Sequence, residues 1–260
     1  MELNLKGKSA LITGASKGIG RAIAIELASE GVDLALTSRS ESDLDSVKAE
    51  IAAKTKVKVR TFPLDLSKSE AVDILARECA DVDILVNNAG AIPRGRIDEI
   101  DEKRWREAWD LKVFGYINMT RAFYALMKKR HKGIIINILG NGGERVDAGY
   151  ICGAAGNASL MAFTRAIGGA SHKDGIRVVG INPGPVATER LVKLMEKEAK
   201  DRFGDAGRWE ELTKPMPFER AGTSEEISAM VALLASERSA YTTGTIITID
   251  GGMANGGSLI

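Results

Sequence analysis

Thr13-Gly14-Ala15-Ser16-Lys17-Gly18-Ile19-Gly20 stands between a short apolar run, Ser9–Thr13, and a helical pattern, Ile19–Gly31. Strand, glycine turn, helix is the context in which a Gly-rich loop signals dinucleotide binding rather than a flexible linker. Gly14 permits the tight turn, Gly18 lets backbone N–H groups come close to a pyrophosphate, and Gly20 lets the helix pack near the strand. The phosphates would sit at a helix N-terminus, where unpaired N–H groups and the helix dipole favour negative charge. Three glycines beside a turn can also be plain turn residues, so the rest of the chain has to decide.

Six further apolar runs follow: Leu34–Ser38, Val57–Phe62, Ile84–Asn87, Ile134–Leu139, Val178–Asn182 and Ile246–Ile249. Helical patterns separate them. The runs are largely apolar rather than alternating, as strands of a parallel sheet covered on both faces must be. Strands alternating with helices imply right-handed βαβ units, hence an α/β fold with a doubly wound parallel seven-stranded sheet. No repeat, low-complexity stretch or linker interrupts the 260 residues, so residues 1–260 read as one domain.

Composition excludes several function classes. Thirty-six basic and 35 acidic residues leave a formal charge of +1, which gives no field for nucleic acid or a membrane surface. The longest apolar run is far too short to span a bilayer. Cys79 and Cys152 are far apart and in no metal-ligand spacing, which points to a reducing, cytoplasmic setting. With only His131 and His172 present, a histidine metal site or a Ser-His-Asp triad is not expected, and no metal is assigned.

The run Leu34–Ser38 ends in Thr37-Ser38-Arg39-Ser40, where an adenosine ribose would lie. An acid here would bind the 2′-hydroxyl of NAD, whereas an arginine accommodates the 2′-phosphate of NADP. Arg39 is present and positions 37–40 carry no acid. Lys17 can approach the same phosphate, so NADP(H) is expected in preference to NAD(H). Asp45 is the first acid that could mislead this reading.

Together with Asp65-Leu66, Asn87-Asn88-Ala89-Gly90, Asn182-Pro183-Gly184 and Asp250-Gly251-Gly252, the Gly loop makes the chain resemble the short-chain dehydrogenase/reductase family from Leu5 to Gly252. The resemblance implies a three-layer Rossmann fold with strand order 3-2-1-4-5-6-7 and bound NAD(P). It assigns the cofactor to Gly14, Ser16, Lys17, Gly18, Ile19, Gly20, Ser38 and Arg39. Asp65 would hold the adenine amino group with Leu66 packed by it, Asn88, Ala89 and Gly90 would line the ribose, and Pro183, Gly184, Val186 and Thr188 would hold the nicotinamide amide. It also implies a homodimer or homotetramer.

Members of that family use a tyrosine as proton carrier, a lysine four residues later, a serine thirteen residues before the tyrosine, and an asparagine on the preceding helix. A free tyrosine titrates at about 10, and a nearby cation stabilises its phenolate. Tyr150 invites this assignment, but Ala154, not lysine, lies four residues on. The family tyrosine lies about thirty residues before the proline of the Pro-Gly turn, and that count from Pro183 reaches Gly153, with Asn157 at the lysine position and Gly140 at the serine position. Asp110 is read at the asparagine position. All four catalytic positions are thereby changed. Tyr150, close to Gly153 in sequence, could swing its hydroxyl into the vacated space as proton donor or substrate contact, with Lys112 or Arg145 as a possible cation. Asn157 can still hydrogen-bond a ribose hydroxyl. Glu144 and Asp110 are further candidate proton carriers.

Glu189–Ala221 carries an amphipathic run, Leu191, Leu194, Met195, Phe203, Trp209, Leu212 and Pro215–Phe218, directly after the nicotinamide-side turn. It reads as a lid (residues 189–221) over an apolar small-molecule substrate, or as a packing element. Two functions remain open. One is an NADP(H)-dependent oxidoreductase interconverting a carbonyl and an alcohol with a non-standard proton relay. The other is an NADP(H)-binding pseudoenzyme, a sensor or partner subunit without redox turnover.

Overall fold

A computed structural model describes residues 2–256. Seven parallel strands form one sheet in the order β3-β2-β1-β4-β5-β6-β7. They are β1 (Ser9–Thr13), β2 (Asp33–Ser38), β3 (Val59–Pro63), β4 (Ile84–Asn87), β5 (Gly133–Ile138), β6 (Ile176–Pro183) and β7 (Ile246–Ile249). Among them stand α1 (Gly18–Ser29), α2 (Glu41–Lys54), α3 (Ser69–Glu78), α4 (Glu102–Trp109), α5 (Gly115–Arg130), α6 (Ile151–Ser171), α7 (Glu189–Phe203) and α8 (Ser224–Ala235). The α/β fold class and the strand order expected from the sequence are observed.

The apolar strands are buried on both sides, which is why they do not alternate. Side chains of alternate parity face two cores. Ala10, Ile12, Ile84, Val86 and Ile136 pack with Ile23 and Leu27 of α1 and Val231 of α8. Leu11, Leu85, Ile135 and Val178 pack with Leu75 of α3 and Met119, Phe123 and Met127 of α5. Burying a side chain of this size stabilises by about 1.5–3 kcal/mol.

From β1 the chain winds outward to β2 and β3, then returns to place β4 on the other side of β1. The switch point thus lies beyond the C-terminal ends of β1 and β4, where open α/β sheets bind ligands. Thr13 joins the loops that meet there. Its hydroxyl accepts the backbone N–H groups of Asn88 (2.8 Å) and Ala89 (3.0 Å), and the Asn88 side-chain amide donates to the Thr13 and Gly14 carbonyls.

Glu189–Ala221 leaves the sheet and returns at its own starting point. Ala187 N–H donates to the Gly222 carbonyl (2.8 Å), and Gly222 N–H donates to the Pro185 carbonyl (2.9 Å). Between these ties lie α7 and two short 3₁₀ turns, Ala206–Thr213 and Pro217–Glu219. No helix among the described residues is long and apolar enough to cross a membrane.

Candidate active site

One cleft of about 1530 Å³ runs over the C-terminal ends of the strands. At one end it is lined by Gly14, Ser16, Lys17, Gly18, Ile19, Ser38 and Arg39, in the middle by Leu66, Asn88, Ala89 and Gly90, and at the other by Tyr150, Asn157, Pro183, Gly184, Val186 and Thr188. The cofactor residues read from the sequence are therefore brought together, apart from two. Gly20 is buried behind the loop, where an added Cβ would overlap the Gly14 carbonyl. Asp65 does not line the cleft, although its neighbours Leu64 and Leu66 do. Burial works against the Asp65 charge, but the Ser67 N–H (3.0 Å), with the Arg39 charge beyond it, holds its carboxyl below the usual range. Gly14 and Gly18 take positive φ, +65° and +53°, which L side chains adopt rarely.

The ribose end is more mixed in charge than the sequence suggested. Lys17 Nζ pairs with Asp43 at 3.1 Å, and Asp43 also lines the cleft. The Lys17 hydrogen bond is the main cause that lowers the Asp43 pKa. The acid that matters here is thus Asp43 and not Asp45. The spacing Ser40-x-x-Asp43 carried the signal, since Ser40 caps α2 by accepting the Asp43 N–H and so fixes Asp43 in the first turn. Arg39 is exposed and has no ion-pair partner among the described residues.

At the other end, Gly140 follows β5 and Gly153 lies on the first turn of α6. Tyr150 is not in α6; it caps the helix from outside with φ −138°, ψ 35°. Its ring folds back onto Gly153, and an added Cβ on Gly153 would overlap it. The two residues meet because the ring turns inward from the cap, rather than by sharing a helix face. The ring also lies beside Gly142, where an added Cβ would be 3.1 Å from it. Burial raises the phenol pKa, while the positive charge of Arg190 and a hydrogen bond from Asn157 pull the other way without prevailing. Tyr150 is therefore held as a neutral phenol.

Asn157 is buried, and its Oδ1 has no hydrogen-bond partner. A buried acceptor left unpaired costs about 1–3 kcal/mol, so such an atom marks a place where a donor belongs. It lies on the wall of a cleft that begins at the Gly loop, and a ribose hydroxyl of a dinucleotide would satisfy it. The residues present therefore fit a nicotinamide dinucleotide. Among the described residues no cluster of His, Cys, Asp or Glu could hold a metal ion.

Three other candidates fall differently. Glu144 Oε2 accepts from Asn182 Nδ2 (3.0 Å) and Thr248 Oγ1 (2.9 Å), and Glu144 does not line the cleft, so it braces β6 against β7. Asp110 is exposed and borders an outer groove with Trp105, Trp109 and Phe114. The residues of that segment that reach the cleft are Leu111 and Lys112. Asp110 and Lys112 both lie in a π-helical turn, Asp110–Phe114, between α4 and α5. Residues two apart point to roughly opposite sides of a helix, so when Lys112 lines the cleft Asp110 is turned away from it. Tyr124 and Lys128 have the spacing Tyr-x-x-x-Lys, but both bind Asp174 (2.7 and 3.0 Å) just ahead of β6, at the opposite edge of the sheet from the cleft.

Residues 14–254 match the family described as enoyl-(acyl carrier protein) reductase. The chain is 32% identical over 257 residues to the 3-oxoacyl-[acyl-carrier-protein] reductase of Escherichia coli K12, covering 96% of this chain and 99% of that protein. It is 32% identical over 254 residues to an NADPH-dependent reductase of Bacillus subtilis, covering 94% and 97%. Among solved structures, L-sorbose reductase from Gluconobacter frateurii complexed with NADPH and L-sorbose superposes with a TM-score of 0.93 at 30% identity, covering 98% of this chain and all of that one.

Proposed function

The chain belongs to the short-chain dehydrogenase/reductase family of NAD(P)-dependent oxidoreductases, and on that premise we propose that it is an NADP(H)-dependent enzyme interconverting a carbonyl and an alcohol through a non-standard proton relay. Gly140, Gly153 and Asn157 stand, on this reading, where the family carries serine, tyrosine and lysine. The observation that carries it is the unpaired Oδ1 of Asn157 beside Tyr150, at the far end of a cleft that starts at the Gly loop. A nicotinamide dinucleotide supplies or takes up a hydride when bound. Asn157 accepts a ribose hydroxyl and positions the sugar. Tyr150, seated over Gly153, donates its phenolic hydrogen bond to the substrate oxygen. Arg39 meets the 2′-phosphate, with Lys17 beside it, which favours NADP(H) over NAD(H); the B. subtilis and G. frateurii relatives are described with NADPH.

The segment 189–221, tied at its base by Pro185, Ala187 and Gly222, acts as the substrate lid. It presents Leu191 and Leu194 to the cleft, with Arg190 and Lys193 between and beside them. An apolar carbonyl or alcohol carried on a small molecule suits the leucines. The remaining apolar residues expected of the lid, Met195, Phe203, Trp209, Leu212 and Pro215–Phe218, do not line the cleft. Phe114, 49% exposed, and the Trp105–Trp109 groove beside it support assembly as a homodimer or homotetramer through α4 and α5. Cys79 and Cys152, both free and buried, suit a reducing compartment such as the cytoplasm.

The test is NADPH oxidation and NADP⁺ reduction over a panel of ketones, aldehydes and alcohols, beside a fluorescence titration of NADPH. Turnover of any of them supports the proposal. Tight NADPH binding with no turnover overturns it in favour of the second reading, a nucleotide-binding sensor or partner subunit, which the loss of the tyrosine and serine side chains at Gly153 and Gly140 motivates.

A further inference from the structure

Position 157 brings no charge to the reaction end, yet that end is not without a cation. Lys112 sits in the middle of the π-turn Asp110–Phe114 and lines the cleft. Single π-turns inside helices recur at functional sites because they re-aim a side chain. The lysine stem crosses Gly90, where an added Cβ would come within 2.8 Å of the Lys112 Cδ. Its Nζ donates to the carbonyl of Leu139 at 2.8 Å, next to Gly140, and stands 5.7 Å from the centre of the Tyr116 ring. An ammonium has three donors. One is used on Leu139, and no other acceptor and no carboxylate takes the remaining two among the described residues. This is the pattern of a cation held ready for a ligand, since a structural lysine of a half-buried wall is ordinarily paired.

We infer that Lys112 is the proton donor of this site, a lysine supplied from the π-turn ahead of α5 in place of one on α6. The inference rests on the oxidoreductase reading above. In the reductive direction the carbonyl carbon accepts a hydride from the reduced nicotinamide and the C=O π pair moves onto oxygen. One N–H bond of the ammonium breaks as its proton passes to that oxygen, and the neutral amine regains a proton from water in the open cleft. The groups near Lys112 are Arg190 from α7 and the Tyr116 ring from α5, while Tyr150, which precedes α6, and Asn157 of α6 line the same cleft; Asp110 on its own turn is exposed. Burial, with the charge of Arg190, lowers Lys112 to about 8. A general acid works best when it titrates near the working pH, and burial moves Tyr150 in the opposite direction.

The experiment has two readings. In the whole protein with ¹³Cε-labelled lysine, one resonance, missing from Lys112→Met, should titrate with a midpoint near pH 8 and move when NADP⁺ saturates the protein. In turnover, Lys112→Met should lose a factor of about 10²–10⁴, with NADPH affinity and thermal unfolding retained. The fall in reduction rate above about pH 8 should disappear in that variant. Lys112→Arg, which stays charged but holds its proton, should remain impaired. A Lys112 midpoint near 10.4, or Lys112→Met turning over at more than half the wild-type rate, or Lys112→Arg matching wild type, overturns the inference. If no carbonyl compound is reduced by the wild type, the oxidoreductase reading fails, whereas the lysine titration still decides whether Lys112 is the titrating cation beside the cofactor.

Discussion

The two ends of the cleft are built on different principles. At the nucleotide end, backbone does the work: Thr13 fastens the β4 loop, Gly20 brings α1 against Gly14, and positive-φ glycines shape the turn. Little of this can change without unfolding the corner. At the other end, side chains line the cleft, and on the reading proposed above they differ as a group from those of the family. A ring from outside α6 covers Gly153, an amide stands at 157, and a lysine arrives from another element. A binding half made of backbone geometry constrains the sequence tightly, whereas a chemical half made of side-chain tips can be reassigned among neighbours that reach the same few ångströms.

That contrast can be broken from either side. Gly20→Val should have the largest effect, because its Cβ overlaps the Gly14 carbonyl and meets Asn88 Nδ2. Overpacking of this kind costs about 1–3 kcal/mol or more. NADPH binding by calorimetry should become undetectable and the melting temperature should fall. Wild-type affinity in that variant would contradict the packing argument. Next, Arg39→Ala removes a charge-assisted bond to the 2′-phosphate, worth about 1.5–3 kcal/mol. NADPH should bind roughly 10–100-fold more weakly while NADH is unchanged. An equal loss for both nucleotides would mean that Arg39 does not read that phosphate and that Lys17, paired with Asp43, is the better candidate.

On the reaction side, Tyr150→Phe removes one hydrogen bond and should lower kcat about tenfold with NADPH affinity intact. Gly153→Ala should reproduce that loss, although Gly153 has no functional atom, because its Cβ displaces the Tyr150 ring. An unchanged rate in Gly153→Ala would show that the position of the ring is irrelevant. The smallest effect concerns the pair of Arg220 and Glu226, where the segment 189–221 meets α8. Arg220, by its side-chain hydrogen bond, and the Thr223 N–H hold Glu226 down to about 2. An unfolded glutamate titrates at about 4.3. This contribution is therefore complete above that value and is lost as pH falls through about 2. The pair is half exposed, so Glu226→Gln should cost less than about 1 kcal/mol at pH 7. It should also flatten the acid limb of a melting-temperature profile between those pH values, and an unaltered limb would remove Glu226 from the account.

Much of the fold was legible because its signals are local. Short apolar runs that do not alternate, spaced by helical patterns, fit strands covered on both faces, and a Gly loop between strand and helix has few other uses. The count from Pro183 put Gly140, Gly153 and Asn157 on one loop and helix, and the cleft brings Gly140 and Asn157 to one wall. Asp43 was legible in principle from the capping pattern that begins at Ser40, and Asp45 was read instead. Counting placed Asp110 at the site, whereas the structure turns Asp110 outward and brings Lys112, two residues on, to the cleft. Glu144 reads in the sequence as a candidate proton carrier, and only folding brings Asn182 and Thr248 to it across 38 and 104 residues.

By itself, then, the sequence determined the sheet, its winding and the nucleotide corner, because periodicity and glycine placement act over a few residues and have one physical solution. The tertiary structure alone decided which side chains meet at the reaction end. Tyr150 reaches over Gly153 by turning back from a helix cap, and Lys112 reaches Leu139 across 27 residues by way of a π-turn and the space over Gly90. Such meetings depend on where whole elements pack, and no local pattern encodes them.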